Sequence, residues 1–103
     1  MDEEVVEQHT LIEEVTVSGW VFQVTWTYTR FTAEFVIWRA ESVFEDGSPS
    51  GDWEEEMAGH VDWGGCLHLN SNSYVHLCNG KMLQQFCSIL NYVYSRGQQL
   101  ADA

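Results

Sequence analysis

Positive charge is what this chain lacks most. Of its 103 residues four are Lys or Arg against sixteen Asp or Glu, a formal net charge of −12. A surface this acidic is repelled by phosphates, which argues against direct binding of free nucleic acid or of an anionic membrane. Proline occurs once and cysteine three times, and no apolar run approaches the ~18 residues needed to span a bilayer. The start, Met1-Asp2-Glu3-Glu4-Val5-Val6-Glu7, is acidic where a secretory signal is basic, so the expected compartment is the cytoplasm. An odd set of cysteines, Cys66, Cys78 and Cys87, is unlike the disulfide frameworks of small secreted domains and reads as reduced thiols. Internal repeats, low-complexity tracts and Pro-rich linkers are missing too. So is a glycine-rich phosphate loop: Gly47, Gly51, Gly64 and Gly65 lie in an acidic region that repels a phosphate.

What is present is apolar and aromatic. Hydrophobic residues make up 45% of the chain and aromatics 14%, with five Trp, which excludes wholesale disorder. At this length the expectation is a single domain, 1–103, with one modest core.

Residues 1–14 carry six acids around Val5, Val6, Leu11 and Ile12, compatible with a short amphipathic helix or with a frayed arm leading into a strand. Val15, Thr16 and Val17 before Ser18-Gly19 read as a first strand and its turn. Trp20, Phe22, Val24, Trp26 and Tyr28 then alternate with Val21, Gln23, Thr25, Thr27 and Thr29, a period of two with one large apolar face and one Thr-rich face. Thr32 to Phe44 continues this alternation, with Phe35 and Ile37 on one face, Glu34, Val36 and Trp38 on the other, and Arg30-Phe31 as a tight connection. Residues 45–65 break the pattern and read as an acidic loop, marked by Gly47, Ser48, Pro49, Ser50 and Gly51. A second hairpin is expected from Cys66–Asn70 against Tyr74–Cys78, turning at Ser71-Asn72-Ser73, with Leu67, Leu69, Val75 and Leu77 on one face. Met82, Leu83, Phe86, Cys87, Ile89, Leu90, Val93 and Tyr94 recur at helical spacing, with Gly97 where a helix C-terminus is expected. The sum is an α+β fold: an antiparallel sheet of about four to five strands with one C-terminal helix packed on one face, against Trp20, Phe22, Val24 and Trp26.

Three constellations carry chemistry. In the second hairpin, Cys66 falls opposite Cys78 and His68 opposite His76, all on the face away from the leucines. Two thiols and two imidazoles form a zinc ligand set, although cross-strand and i, i+2 spacings of ~5 and ~7 Å on a flat sheet require the side chains to lean inward. The same residues serve equally as the semi-polar face of an ordinary hairpin, and no cofactor is expected.

Cysteine catalysis would take Cys66 or Cys87 as nucleophile with His60, His68 or His76 as base. Cys87 falls in the apolar stripe of the helix, however, and reads as core, and Cys66 has no local signature. Carboxylate pairs drawn from Glu54, Glu55, Glu56 and Asp62 are available in any acidic loop. No catalytic residue is assigned, and the chain reads as a non-enzyme.

The third constellation is an acidic surface with aromatics inside it: Glu45, Asp46, Asp52, Trp53, Glu54, Glu55, Glu56, Met57, Asp62 and Trp63. Acids often serve solubility alone, but −12 exceeds that need and opposes compaction. Trp is the residue most enriched at binding hot spots. An anionic face around apolar anchors fits a Lys/Arg-rich groove on another protein, with carboxylates in place of phosphates. In size, acidity and lack of a diagnostic motif the chain resembles the small phage-encoded counter-defence proteins, the anti-CRISPR and DNA-mimic anti-restriction inhibitors. That resemblance implies a non-enzymatic inhibitor acting in the host cytoplasm on a basic nucleic-acid-binding protein or complex, for example a CRISPR effector. The partner-binding residues expected from the acidic surface itself are Glu45, Asp46, Asp52, Trp53, Glu54, Glu55, Glu56, Asp62 and Trp63. The alternatives are an immunity protein neutralising a basic toxin nuclease, a zinc-stabilised module, and a homodimer built on the Thr25/Thr27/Thr29 face or on a strand edge.

Overall fold

A computed structural model describes residues 7–17, 19–70 and 83–102. Five strands form one antiparallel sheet in chain order: β1 (His9–Val17), β2 (Trp20–Tyr28), β3 (Thr32–Val43), β4 (Pro49–Asp62) and β5 (Leu67–Leu69). Among the described residues one helix, α1 (Leu83–Asp102), packs across one face, giving the expected two-layer α+β fold. The acids Asp2, Glu3 and Glu4, and the expected strand Tyr74–Cys78 with its turn, lie outside the described residues.

The period-two run does what its pattern dictates. Phe22, Val24 and Trp26 are buried under α1, beside Phe35 and Ile37 of β3 and Met57 and Val61 of β4. Trp20 and Phe22 both pack edgewise or tilted on Phe86 of α1, with ring centroids 6.0 and 6.2 Å away. The Thr-rich face of β2 points away from the helix, where Trp38 Nε1 donates to Thr25 Oγ1 at 3.3 Å. Thr29 makes the tight β2–β3 connection: its hydroxyl accepts from the backbone N–H groups of Phe31 and Thr32.

Of the two readings of the amino-terminal region, the strand holds from His9 onward, because Leu11, Glu13, Val15 and Val17 alternate inward opposite Trp26, Val24, Phe22 and Trp20. Three expectations need correction.

Residues 45–65 are not a loop. Residues 49–62 of that segment form β4, the longest strand, paired with β3 along its length. Two β-bulges hid it. Ile37 pairs with Met57 but Trp38 with Glu55, leaving Glu56 as an extra residue, and Glu41 faces both Gly51 and Asp52. Each bulge shifts the alternation by one residue, which destroys a period-two signal in the sequence.

Gly97 does not end the helix, which runs on to Asp102. It lies against the sheet: a Cβ there would approach Val61 Cβ and Cγ2 to 2.8 and 2.7 Å and the Trp26 ring to 3.4 Å.

Cys87 is exposed, not core. The buried face of α1 runs through Phe86, Ile89, Leu90, Val93, Gly97, Leu100 and Ala101, and Cys87 stands about 100° around the helix from Phe86.

Candidate functional site

The β3–β4 hairpin reaches past its neighbour. The β2–β3 pairing ends at Phe22 opposite Arg39, whereas β3 and β4 stay paired out to Val43 and Pro49. The result is a two-stranded tip on a molecule 56 × 28 × 20 Å in extent. Phe44 and Gly47 close the turn, the Gly47 N–H donating to the Phe44 carbonyl at 2.9 Å. Gly47 has φ +89°, a left-handed conformation that a side chain disfavours. Asp46 braces the turn by accepting at Oδ1 from the Ser48 N–H (2.9 Å) and hydroxyl (2.6 Å). The hydrogen bond from the Ser48 side chain, helped by the one from its backbone, holds the Asp46 carboxyl below the usual carboxylate range.

The exposed acids of this tip are Glu41, Glu45, Asp46 and Asp52, with Glu54 and Glu55 exposed at its base opposite Arg39 and Trp38. Val43 and Phe44 stand among them with 37% and 60% of their surface exposed. Trp53 is half-buried opposite Ala40, so it anchors the hairpin's base rather than its end. Glu56 does not join this surface. Its bulge turns it inward, its Oε1 accepts from Arg39 Nε at 3.1 Å, and it is 8% exposed. Arg39 also reaches Glu54, Nη2 to Oε2 at 3.8 Å, and stacks 4.5 Å over the Trp20 ring.

Asp62 and Trp63 are at the other end of β4, about 30 Å from Asp52 at the rise of an extended strand. The structure therefore splits the predicted acidic site in two. At this far end Trp63 is 70% exposed and its N–H donates to the carbonyl of Phe31, itself 44% exposed. Phe44, Val43 and Glu41 at the tip were missed by the sequence reading. The signal for them was the turn itself: Gly47-Ser48-Pro49 closing two strands places whatever precedes it at an exposed end.

The same far end holds a mixed cluster. Asp62 organises the β4–β5 turn, its Oδ1 accepting from the Cys66 N–H at 3.0 Å and its carbonyl from the Gly65 N–H at 3.0 Å. The Cys66 N–H is the main reason the Asp62 carboxyl is held below the usual carboxylate range, with His68 adding to it against a smaller desolvation penalty. Asp62 Oδ2 and His68 Nε2 are 3.2 Å apart. The His68 ring stacks on His60, centroids 4.5 Å apart, the two being cross-strand partners. Ligand atoms of Asp62, Cys66 and His68 all lie within 4.8 Å of one another. Of the zinc set read from the sequence, Cys66 and His68 thus converge, with Asp62 as a companion not foreseen; His76 and Cys78 lie outside the described residues. The segment Asp62-Trp63-Gly64-Gly65-Cys66-Leu67-His68 carried the signal, since a glycine turn brings its first and last residues onto neighbouring strands.

Fold and surface together define an acidic two-layer α+β protein with a protruding acidic hairpin. Set against family models, curated proteins and solved structures, the chain has no match in any of the three. Among the described residues no helix is long and apolar enough to cross a membrane.

Proposed function

We propose that the protein is a non-enzymatic inhibitor that inserts its acidic β3–β4 hairpin into a basic, nucleic-acid-binding groove of a target protein and blocks that groove sterically. The observation that carries this reading is the tip itself, where the exposed acids Glu41, Glu45, Asp46 and Asp52 flank exposed Phe44 and Val43, with Glu54 and Glu55 exposed at the hairpin's base. Two of the chain's four cationic side chains, Arg39 and Arg96, are bound to acids of the sheet, Glu54 and Glu56 for one and Glu13 for the other. Those ion pairs lie at the hairpin's base and in the helix–sheet layer, away from Glu45, Asp46 and Asp52 at the tip. Charge of one sign on a narrow projection speeds encounter with a basic groove, and an apolar residue seated at its end slows dissociation.

The test is capture of host proteins on the immobilised protein at low and at high salt, followed by competition. A retained basic protein should elute as salt rises and lose its nucleic acid when this protein is added. The variant Glu45→Lys/Asp46→Lys/Asp52→Lys should neither retain it nor compete. Retention that is indifferent to salt and to the triple variant defeats the proposal.

A further inference from the structure

We propose that Asp62, Cys66 and His68 form a zinc-type metal site, one thiolate, one imidazole and one carboxylate, that staples the β4–β5 hairpin. The inference stands apart from the acidic tip, which is at the opposite end of β4. Three features carry it. First, the donor atoms converge within 4.8 Å, and the Asp62 Oδ2 to His68 Nε2 separation of 3.2 Å is close to the edge of a tetrahedron with zinc–nitrogen and zinc–oxygen bonds of about 2.0–2.1 Å, roughly 3.3–3.4 Å. The exposed Cys66 side chain needs to close by only about 1 Å to complete the third corner.

Second, the carboxylate is already oriented. The Cys66 N–H holds Oδ1, which leaves Oδ2 on the side of His68, the arrangement in which an outer hydrogen bond fixes a metal ligand. Third, the donor types select the ion. A thiolate with an imidazole favours zinc or cobalt over magnesium or calcium, which take oxygen. Three protein ligands leave one position for water. The staple has work to do: β5 is three residues long, too short to hold firmly by its ladder alone.

The experiment uses the full chain purified without a metal-binding tag, stripped with chelator under reducing conditions and titrated with cobalt(II). One equivalent should produce tetrahedral d–d bands in the visible and a thiolate-to-cobalt charge-transfer band, and zinc should displace both. Cys66→Ser should abolish the charge-transfer band, while Cys87→Ser, an exposed thiol on the helix, should leave it intact. Asp62→Asn keeps an oxygen for the Cys66 N–H but loses the anion, and should weaken binding at least about tenfold, as should His68→Ala. Far-UV circular dichroism of each apo variant confirms that its fold persists, as expected for changes at an exposed turn. No charge-transfer band in the wild type, a band that survives Cys66→Ser, or an affinity indifferent to Asp62→Asn or His68→Ala overturns the site.

Discussion

Arg96 on the helix places its Nε 3.1 Å from both carboxylate oxygens of Glu13 on the edge strand, two residues 83 positions apart in the chain. Glu13 also accepts from Trp26 Nε1 at 3.0 Å. An inward-facing acid on an edge strand opposes the addition of a partner strand there, and here it is satisfied from within. The carboxylate ties β1, the core tryptophan of β2 and α1 into one unit.

Removing the acid takes a shared acceptor from Trp26 Nε1, Arg96 Nε and the Tyr92 hydroxyl. Glu13→Ala is expected to destabilise the fold by about 2–3 kcal/mol, the range for hydrogen bonds to a charged, partly buried group. A double-mutant cycle with Arg96→Ala in urea denaturation should return a coupling of about 1 kcal/mol or more. Additive losses would mean that the two side chains are neighbours without being partners.

Gly97→Ala sets helix propensity against packing. Ala is better than Gly inside a helix by about 1 kcal/mol, but its Cβ would meet Val61 at 2.7–2.8 Å, and overpacking a core costs about 1–3 kcal/mol. Packing should win, giving a lower melting temperature. Shrinking the neighbour in Gly97→Ala/Val61→Ala should recover part of the loss relative to Val61→Ala alone. A stabilised Gly97→Ala protein would place the helix farther from the sheet than described.

The acids of the hairpin should separate into two groups by stability. Glu45→Lys and Asp52→Lys alter exposed side chains and should shift stability by no more than about 0.5 kcal/mol. Glu56→Lys puts a cation beside Arg39 in a nearly closed site and should cost about 3 kcal/mol or more. Equal effects from all three in thermal melts would contradict the inward turn of Glu56 at its bulge.

Alkaline pH should loosen the helix face through Tyr92. Burial raises its phenol above the ordinary value near 10, and the adjacent Glu13 carboxylate raises it further, against a smaller opposing effect of Arg96. A group whose folded pKa is raised contributes stability that is full below its unfolded pKa and is lost as pH rises through the folded one. Tyr92→Phe should therefore flatten the stability profile above about pH 10. Parallel wild-type and variant profiles across that window would rule out the linkage.

At the acid end the sign reverses for Asp62. Its folded pKa is lowered, chiefly by the Cys66 N–H, so its contribution is present above the unfolded pKa and is lost as pH falls through the folded value. The amide of Cys66 should lose exchange protection in that window, below about pH 4, before the core strands do. Cys66 protection that persists until global unfolding would show that the carboxylate is not what holds the turn.

The fold class was legible in the sequence because its two strongest signals are local. Trp20 to Tyr28 alternates without interruption, and the apolar stripe from Phe86 to Val93 keeps a helical period; neither needs a distant residue to be read. Apart from Cys87, what differed depended on a distant residue. The acids of β4 looked like a loop because a bulge at Glu56, set by pairing with β3, breaks the alternation. Gly97 looked like a helix stop because only the crossing of α1 over Val61 and Trp26 makes a glycine necessary inside the helix. The acidic site was read as one patch because 45–63 is contiguous in sequence, while an extended strand separates its ends. Conversely Asp62, Cys66 and His68 look unrelated along the chain, and only the β4–β5 turn makes them neighbours. Composition and periodicity, which act within a few residues, determined the layers and the charge. Register, bulges and helix crossing act between residues far apart in the chain, so only the tertiary structure decided which acids face outward and which donors meet.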